Sequence, residues 1–186
     1  IQSELYKNHP DWMIAIPGRT PGVGRNQYIL DLTREDVRRY LFETLSKTWK
    51  LADVNYIKWD MNRVFSDLYS LNPEMANHGE FLHRYVLGLY ELLTKLATEF
   101  PAVLFESCAS GGNRFDLGML CFMPQTWTSD NSDALSRLYI QEGTSYAYPL
   151  STMGAHVSSS PNHQTLRRTD LESRFNVAAF GVLGYE

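Results

Sequence analysis

Apolar residues recur at helical spacing in two long stretches of the chain and cluster in short runs elsewhere. Val37, Tyr40, Leu41, Leu45 and Trp49 fall on one face of a helix that the pattern carries to about Leu51. Thr33 is its expected N-cap, with Glu35 and Asp36 in the first turn, where acids meet the positive end of the helix dipole. Phe81, Tyr85, Val86, Leu89, Leu92, Leu93 and Leu96 mark a second helix from about Gly79 to Phe100, which Pro101 ends. Shorter helices are expected over 115–120, 133–146 and 171–178. Between the helices lie short β-branched or aromatic runs over 54–59, 103–106, 125–128, 151–157 and 180–183, and each predicts a strand. Residues 1–28, punctuated by Pro10, Pro17, Pro21, Gly18, Gly22 and Gly24, predict mostly loop. Residues 62–77 and 158–165 predict further loops.

Strand and helix alternate about five times, an order that calls for parallel strands joined by right-handed crossovers. The expected class is α/β, a TIM (β/α)8 barrel. A closed barrel of that kind takes about 250 residues, whereas this chain has 186. A partial barrel, roughly its last five βα units, is therefore expected, with residues 1–186 a fragment of one catalytic domain. An open doubly wound sheet is the alternative, but no Gly-rich phosphate loop supports it.

Composition narrows the function classes. The chain is 44% hydrophobic and 13% aromatic, which is globular rather than disordered. Its 17 basic and 21 acidic residues are mixed along the chain without a basic block, so no nucleic-acid partner is expected. No apolar run reaches the roughly 18 residues of a membrane span, and no membrane association is expected. The first residues lack the charged and apolar regions of a signal peptide, and an initiator Met is absent, so the true N-terminus is expected elsewhere. Two cysteines, Cys108 and Cys121, are too few for a disulfide framework. Reduced thiols and a cytoplasmic location are the expectation.

Two aspartates carry the candidate chemistry. Asp60 closes the run Tyr56-Ile57-Lys58-Trp59, and Asp130 follows Gln125-Thr126-Trp127-Thr128-Ser129. Each sits at the C-terminal end of an expected strand, where barrel enzymes hold their reactive groups, and a carboxylate pair there suits glycosidic cleavage. Lys58, two residues before Asp60, shares its strand face, and a neighbouring cation keeps a carboxylate ionised, as a nucleophile requires. The plainer reading is a strand-end aspartate paired with a lysine. For Asp130, an aromatic wall and the nearby acid Asp133 suit a proton donor. Here the plainer reading is that Ser129 or Asp130 caps the following helix. Two acids at equivalent strand ends favour catalysis over either.

The run Glu106-Ser107-Cys108-Ala109-Ser110-Gly111-Gly112 lacks the Gly-x-Ser-x-Gly spacing of a serine nucleophile. Its glycines instead suit a close backbone approach to a ligand, and Cys108 suits a contact beside a sugar hydroxyl. His156 and His163 lack further ligands at metal-binding spacing and read as hydrogen-bonding residues. Arg25, in a Gly-rich loop, is either a ligand contact or a solvated arginine.

These motifs resemble the α-galactosidases of glycoside hydrolase family 36. Lys58-Trp59-Asp60-Met61-Asn62-Arg63 is similar to that family's nucleophile motif, and Gln125-Thr126-Trp127-Thr128-Ser129-Asp130 to its acid/base motif. Cys108-Ala109-Ser110-Gly111-Gly112-Asn113-Arg114-Phe115-Asp116 resembles its sugar loop, though Cys-Ala-Ser-Gly-Gly replaces the Cys-Ser-Gly-Gly-Gly pattern. Met153-Gly154-Ala155-His156-Val157-Ser158 and Pro161-Asn162-His163-Gln164 also look like family signatures, so the resemblance covers nearly the whole chain.

The resemblance implies a retaining α-galactosidase acting on terminal α-galactosides of the melibiose and raffinose type, with Asp60 as nucleophile and Asp130 as acid/base. It implies sugar contacts from Arg25, Lys58, Trp59, Asn62, Cys108, Gly111, Trp127 and His156, no metal or other cofactor, and a homotetrameric full-length protein. The family's N-terminal β-domain, its first barrel strands with a Trp and two sugar-gripping aspartates, and its C-terminal β-domain have no counterpart here, so the isolated segment is expected to be inactive. The rival readings are a galactosyltransferase of the raffinose-synthase kind, a different sugar specificity, and a non-catalytic carbohydrate-binding barrel.

Overall fold

Five strands with β-branched and aromatic cores pair side by side in sequence order: β1 Tyr56–Asp60, β2 Leu104–Cys108, β3 Gln125–Trp127, β4 Met153–Val157 and β5 Val182–Tyr185. All four pairings are parallel. The computed structural model describes residues 2–186. The chain forms two compact units, one made of residues up to Asn55 together with Asn62–Val103, the other of Tyr56–Met61 together with Leu104–Glu186.

The first unit is helical. A short helix, α1 (Glu4–Asn8), is capped by Ser3, whose Oγ accepts from the Tyr6 N–H at 3.2 Å. Two long helices follow, α2 (Glu35–Ala52) and α3 (Phe81–Glu99). Helix α3 buries Phe81, Tyr85, Leu89, Leu92, Leu93 and Leu96, the stripe the apolar spacing predicts, although Val86 is exposed. The two helices are joined by the Arg38–Glu91 ion pair at 2.8 Å and by Lys50–Glu99. The expected cap of α2 is corrected. Arg34 occupies the N-cap position, because Thr33 is engaged by buried Asp31, which accepts from its N–H at 2.9 Å and its hydroxyl at 2.7 Å. Asp36 anchors the first turn instead, accepting from Arg34, from the Val37 N–H and from the Trp12 indole.

The second unit is the parallel sheet with three helices, α4 (Leu117–Leu120), α5 (Ala134–Ser145) and α6 (Leu171–Ala178). Met119, Met123, Phe105, Met153, Ala155 and Ala178 are buried in it. Gln141 of α5 donates to the Val177 carbonyl of α6 at 3.0 Å. Four strand starts differ from the periodicity: β1 begins at Tyr56 rather than 54, because the Val54 N–H bonds back to the Trp49 carbonyl at 3.4 Å, and β2 begins at Leu104 rather than 103. Residues 150–152 form a 3-10 turn on Pro149, whose carbonyl accepts from Thr152 N at 3.0 Å, so β4 begins at Met153. Gly181 N–H bonds back to Ala178, closing α6, so β5 begins at Val182. Strand β2 continues past Glu106 to Cys108, because Asp60 of β1 pairs with it there.

Candidate active site

In parallel strands, register partners present their side chains on one face of the sheet. Lys58 pairs with Glu106 and Glu106 with Gln125. Asp60 pairs with Cys108, Trp127 with Gly154, and His156 with Gly184. One face of the second unit thus carries Tyr56, Lys58, Asp60, Glu106, Cys108, Gln125, Trp127 and His156. This face is polar and charged where a purely structural sheet needs apolar residues.

Glu106 is its hub. It is fully buried (0% exposed). Its Oε2 accepts from the Tyr56 hydroxyl at 2.6 Å and from the Gln125 amide, and its Oε1 lies 3.5 Å from Lys58 Nζ. Burial, then the adjacent Glu106, push the Tyr56 phenol well above its ordinary value. Lys58 therefore has its ion-pair partner across the sheet, and its ammonium also lies 4.7 Å from the centre of the Trp127 ring.

Asp60 ends β1 beside Cys108. Burial pushes the Cys108 thiol up from its ordinary value, the Gly111 N–H opposes that, and the hydrogen bond to the Asp60 carboxylate raises it further. A thiol held protonated is a donor to Asp60, not a nucleophile. Arg114 ties the two strand ends together, donating to the Trp59 carbonyl at 2.9 Å and the Cys108 carbonyl at 3.1 Å.

Asp130 sits three residues beyond the end of β3, with its carboxylate in solvent. The Trp127 indole N–H donates to its Oδ1 at 3.1 Å. The cap of α5 is Asp133, whose side chain accepts from the Ser136 N–H at 3.1 Å, so neither Ser129 nor Asp130 is used as a helix cap. Trp127 is itself enclosed, with the Arg137 guanidinium 4.1 Å from its ring centre and the His156 ring at 4.5 Å. Burial pushes Arg137 down to about 10, against the pull of Glu186, Asp130 and Glu106, which leaves it charged at neutral pH. Gly111 packs against the same segment. A Cβ there would meet Ser129 Cα at 2.8 Å, and its φ of +86° favours glycine. The Gly112 N–H donates to the Thr128 carbonyl at 3.0 Å.

Of the residues singled out by sequence, Asp60, Lys58, Cys108, Gly111, Trp127, Asp130 and His156 lie on or against this face of the second unit. Trp59 alternates to the opposite face and contributes its carbonyl to Arg114. Arg25 and Asn62 belong to the first unit. There Arg25 is exposed at φ 54° in a turn closed by reciprocal backbone bonds between Gly24 and Gln27, and Arg63 pins that turn, its Nε donating to the Gln27 carbonyl at 3.4 Å. Sequence reasoning passed over Glu106, Gln125 and Arg137. Glu106 and Gln125 join this face only through the register, which sets Lys58 beside Glu106 and Glu106 beside Gln125. Among the described residues, no group of three or more His, Cys, Asp or Glu is arranged to hold a metal, and no helix is long and apolar enough to cross a membrane.

The family model described as Melibiase matches residues 1–186. The chain belongs to the Melibiase family. Alpha-galactosidase 1 of Pediococcus pentosaceus, one of its curated relatives, is 56% identical over 184 residues, which is 99% of this chain and 25% of that protein. The crystal structure of the alpha-galactosidase from Lactobacillus brevis superposes with a TM-score of 0.96 at 53% identity, covering 99% of this chain and 25% of that one. GH36 alpha-galactosidase AgaA from Geobacillus stearothermophilus superposes with a TM-score of 0.93 at 53% identity, covering 99% of this chain and 26% of that one. Variants of AgaA have been solved in complex with raffinose and with stachyose. The chain thus spans about a quarter of the length of these Melibiase relatives.

Proposed function

We propose that residues 1–186 form part of one catalytic (β/α)8 barrel, roughly its last five βα units, within a longer polypeptide, and that this protein is a retaining α-galactosidase for terminal α-galactosides of the raffinose and melibiose type. The observation that carries the reading is one polar sheet face bearing two differently dressed carboxylates. Asp60 takes a thiol hydrogen bond from Cys108, and Asp130 takes an indole hydrogen bond from Trp127. The relatives' names and the raffinose and stachyose complexes of AgaA support the substrate class.

In the first step an Asp60 oxygen forms a bond to the anomeric carbon as the glycosidic C–O bond breaks. Asp130 gives its proton to the departing oxygen, which leaves as an alcohol. In the second step Asp130 takes a proton from water, the water oxygen bonds to the anomeric carbon, and the Asp60 ester breaks. Two displacements return the α-anomer, and this mechanism sets the two carboxyl groups about 5–5.5 Å apart in the working enzyme. Lys58, Cys108, Gly111, Trp127 and His156, all of the second unit, line the sugar site. The first barrel strands and the flanking β-domains come from the rest of the polypeptide, and the working protein is a cytoplasmic tetramer that uses no metal.

The test is hydrolysis of 4-nitrophenyl α-galactoside by the full-length gene product. Turnover that disappears in Asp60→Ala, with the protein still folded, supports the reading. A folded wild-type protein without turnover on any α-galactoside contradicts it.

A further inference from the structure

We propose that Arg137 is the positioning residue of the proton donor, holding Asp130 in place through Trp127 and the segment that follows it. The inference rests on the reading of Asp130 as acid/base.

Arg137 is 2% exposed, and an arginine is almost never buried so far unless its charge and donors are matched by partners. Its backbone N–H bonds to Asp133 at 2.9 Å, placing it in the first turn of α5, directly above the Asp133 cap. From there the side chain reaches back to the end of β3. Nη1 donates to Thr128 Oγ1 at 2.6 Å and Nη2 to the Ser129 carbonyl at 2.9 Å, while the guanidinium lies 4.1 Å from the centre of the Trp127 ring. The ring's own N–H then donates to Asp130 Oδ1 at 3.1 Å. One rigid group thus grips residues 127, 128 and 129 in succession, and the next residue is the carboxylate.

The choice of arginine follows from this geometry. A flat fork donates to two acceptors and stacks on an indole at once, whereas a lysine ammonium offers a point charge and no plane to stack. Burying a cation is costly unless its donors are satisfied. A leucine would fill this helix position without that cost. Its only reward is the fixed geometry of the segment leading to Asp130.

A residue that only anchored α5 would affect all substrates alike. A residue that positions the proton donor matters in proportion to how much the leaving group needs a proton. Cleavage of raffinose releases sucrose, whose alkoxide is a poor leaving group and needs the proton. Cleavage of 2,4-dinitrophenyl α-galactoside releases 2,4-dinitrophenolate, a stable anion that needs no proton. In the full-length gene product, Arg137→Met and Arg137→Lys are compared with wild type by kcat/KM on both substrates, with melting temperature recorded. General acid catalysis contributes about 10²–10⁴-fold, so a misplaced donor is expected to cost at least about tenfold more on raffinose than on the dinitrophenyl galactoside. Added azide, a nucleophile that needs no base, is expected to raise kcat on the dinitrophenyl substrate in the variants. Equal losses on the two substrates without azide rescue overturn the proposal. Where the methionine protein does not fold, the lysine variant, which keeps the charge and loses the fork, decides by the same ratio. A wild type that cleaves neither substrate defeats the underlying reading of Asp130 instead.

Discussion

Replacing Gly111 with alanine adds one methyl group to the side of the Asp130 segment, and its consequences follow from three distances. The new Cβ meets Ser129 Cα at 2.8 Å, Ser129 N at 3.3 Å and Asp130 N at 3.3 Å. Carbon pairs rest at about 3.5–4.0 Å, so Ser129 has to withdraw by roughly 0.7 Å or more. All three atoms are backbone, so no rotamer change relieves the clash. Nor does Gly111 have freedom to rotate away, because its carbonyl accepts from the Ala109 N–H at 2.8 Å and its φ is +86°. An alanine held in that left-handed region costs about 1–2 kcal/mol before any clash. The displaced residue precedes the proposed acid/base. A misplacement of about 1 Å at a reacting group costs roughly 100-fold, so Gly111→Ala is expected to lower kcat/KM on 4-nitrophenyl α-galactoside by about that factor. The control is Gly143→Ala at an exposed position of α5, where a Cβ meets nothing within 4 Å. Alanine is the better helix former by up to about 1 kcal/mol, so this variant should keep its activity and melt no lower than wild type. Wild-type kcat/KM in Gly111→Ala, with an unshifted melting temperature, would refute the packing argument.

Glu106→Gln keeps the shape of the hub and removes its charge. Hydrogen bonds to charged groups contribute about 1.5–3 kcal/mol each, discounted here because Lys58 is 36% exposed and can turn to water. A net loss of about 1–3 kcal/mol is expected, read as a lower melting temperature, and an unshifted melt would show that Glu106 is not a hub. Burial pushes the Asp133 carboxyl up, but the Ser136 N–H and hydroxyl and the Arg167 guanidinium bring it below its ordinary value. A depressed carboxylate stabilises the fold above its unfolded pKa of about 3.9, and that contribution fades as pH falls through the folded value. Asp133→Asn should therefore unfold at lower urea than wild type at pH 7, with the gap closing as the pH drops below about 4; a gap that is constant with pH would contradict this. The thiols should also separate. Exposed Cys121 is expected to be alkylated by iodoacetamide at pH 7.5, while Cys108, buried and raised, stays largely unmodified in the native protein. Peptide mass mapping reads both, and prompt labelling of Cys108 would contradict its placement.

The elements were legible in the chain where apolar spacing and burial agree. Helix α6 has the bounds its pattern predicts, and the inner face of α3 follows Phe81 to Leu96 with Val86 as the exception. Boundaries failed where a local hydrogen bond competes with propensity, as at Thr33, Thr152 and Gly181. Helix α5 falls within its expected span of 133–146, at Ala134–Ser145, but its inner face is not apolar. Its buried positions are Ala134, Arg137 and Gln141, while Leu135, Leu138 and Tyr139 are exposed. Arg137 and Gln141 on that inner face carry no apolar signal, so sequence reasoning passed over Arg137. The two aspartates were legible because strand ends are marked by an abrupt change from aromatic to polar residues. Their partners were not, because register sets Lys58 beside Glu106, 48 positions apart in the chain, and no local spacing encodes that. Trp127 was legible as an aromatic wall, but its role as a hydrogen-bond donor to Asp130 depends on a loop conformation that only the fold supplies.

The central claim is that Asp60 forms the covalent bond to the sugar. It is tested most directly by incubating the full-length gene product with 5-fluoro-α-galactosyl fluoride, whose ring fluorine slows release of the ester, and mapping the labelled peptide by mass spectrometry. A single galactosyl ester on Asp60, absent in Asp60→Ala, is the predicted result. A label on Asp130, Glu106 or another carboxylate, or inactivation with no covalent adduct, would contradict it.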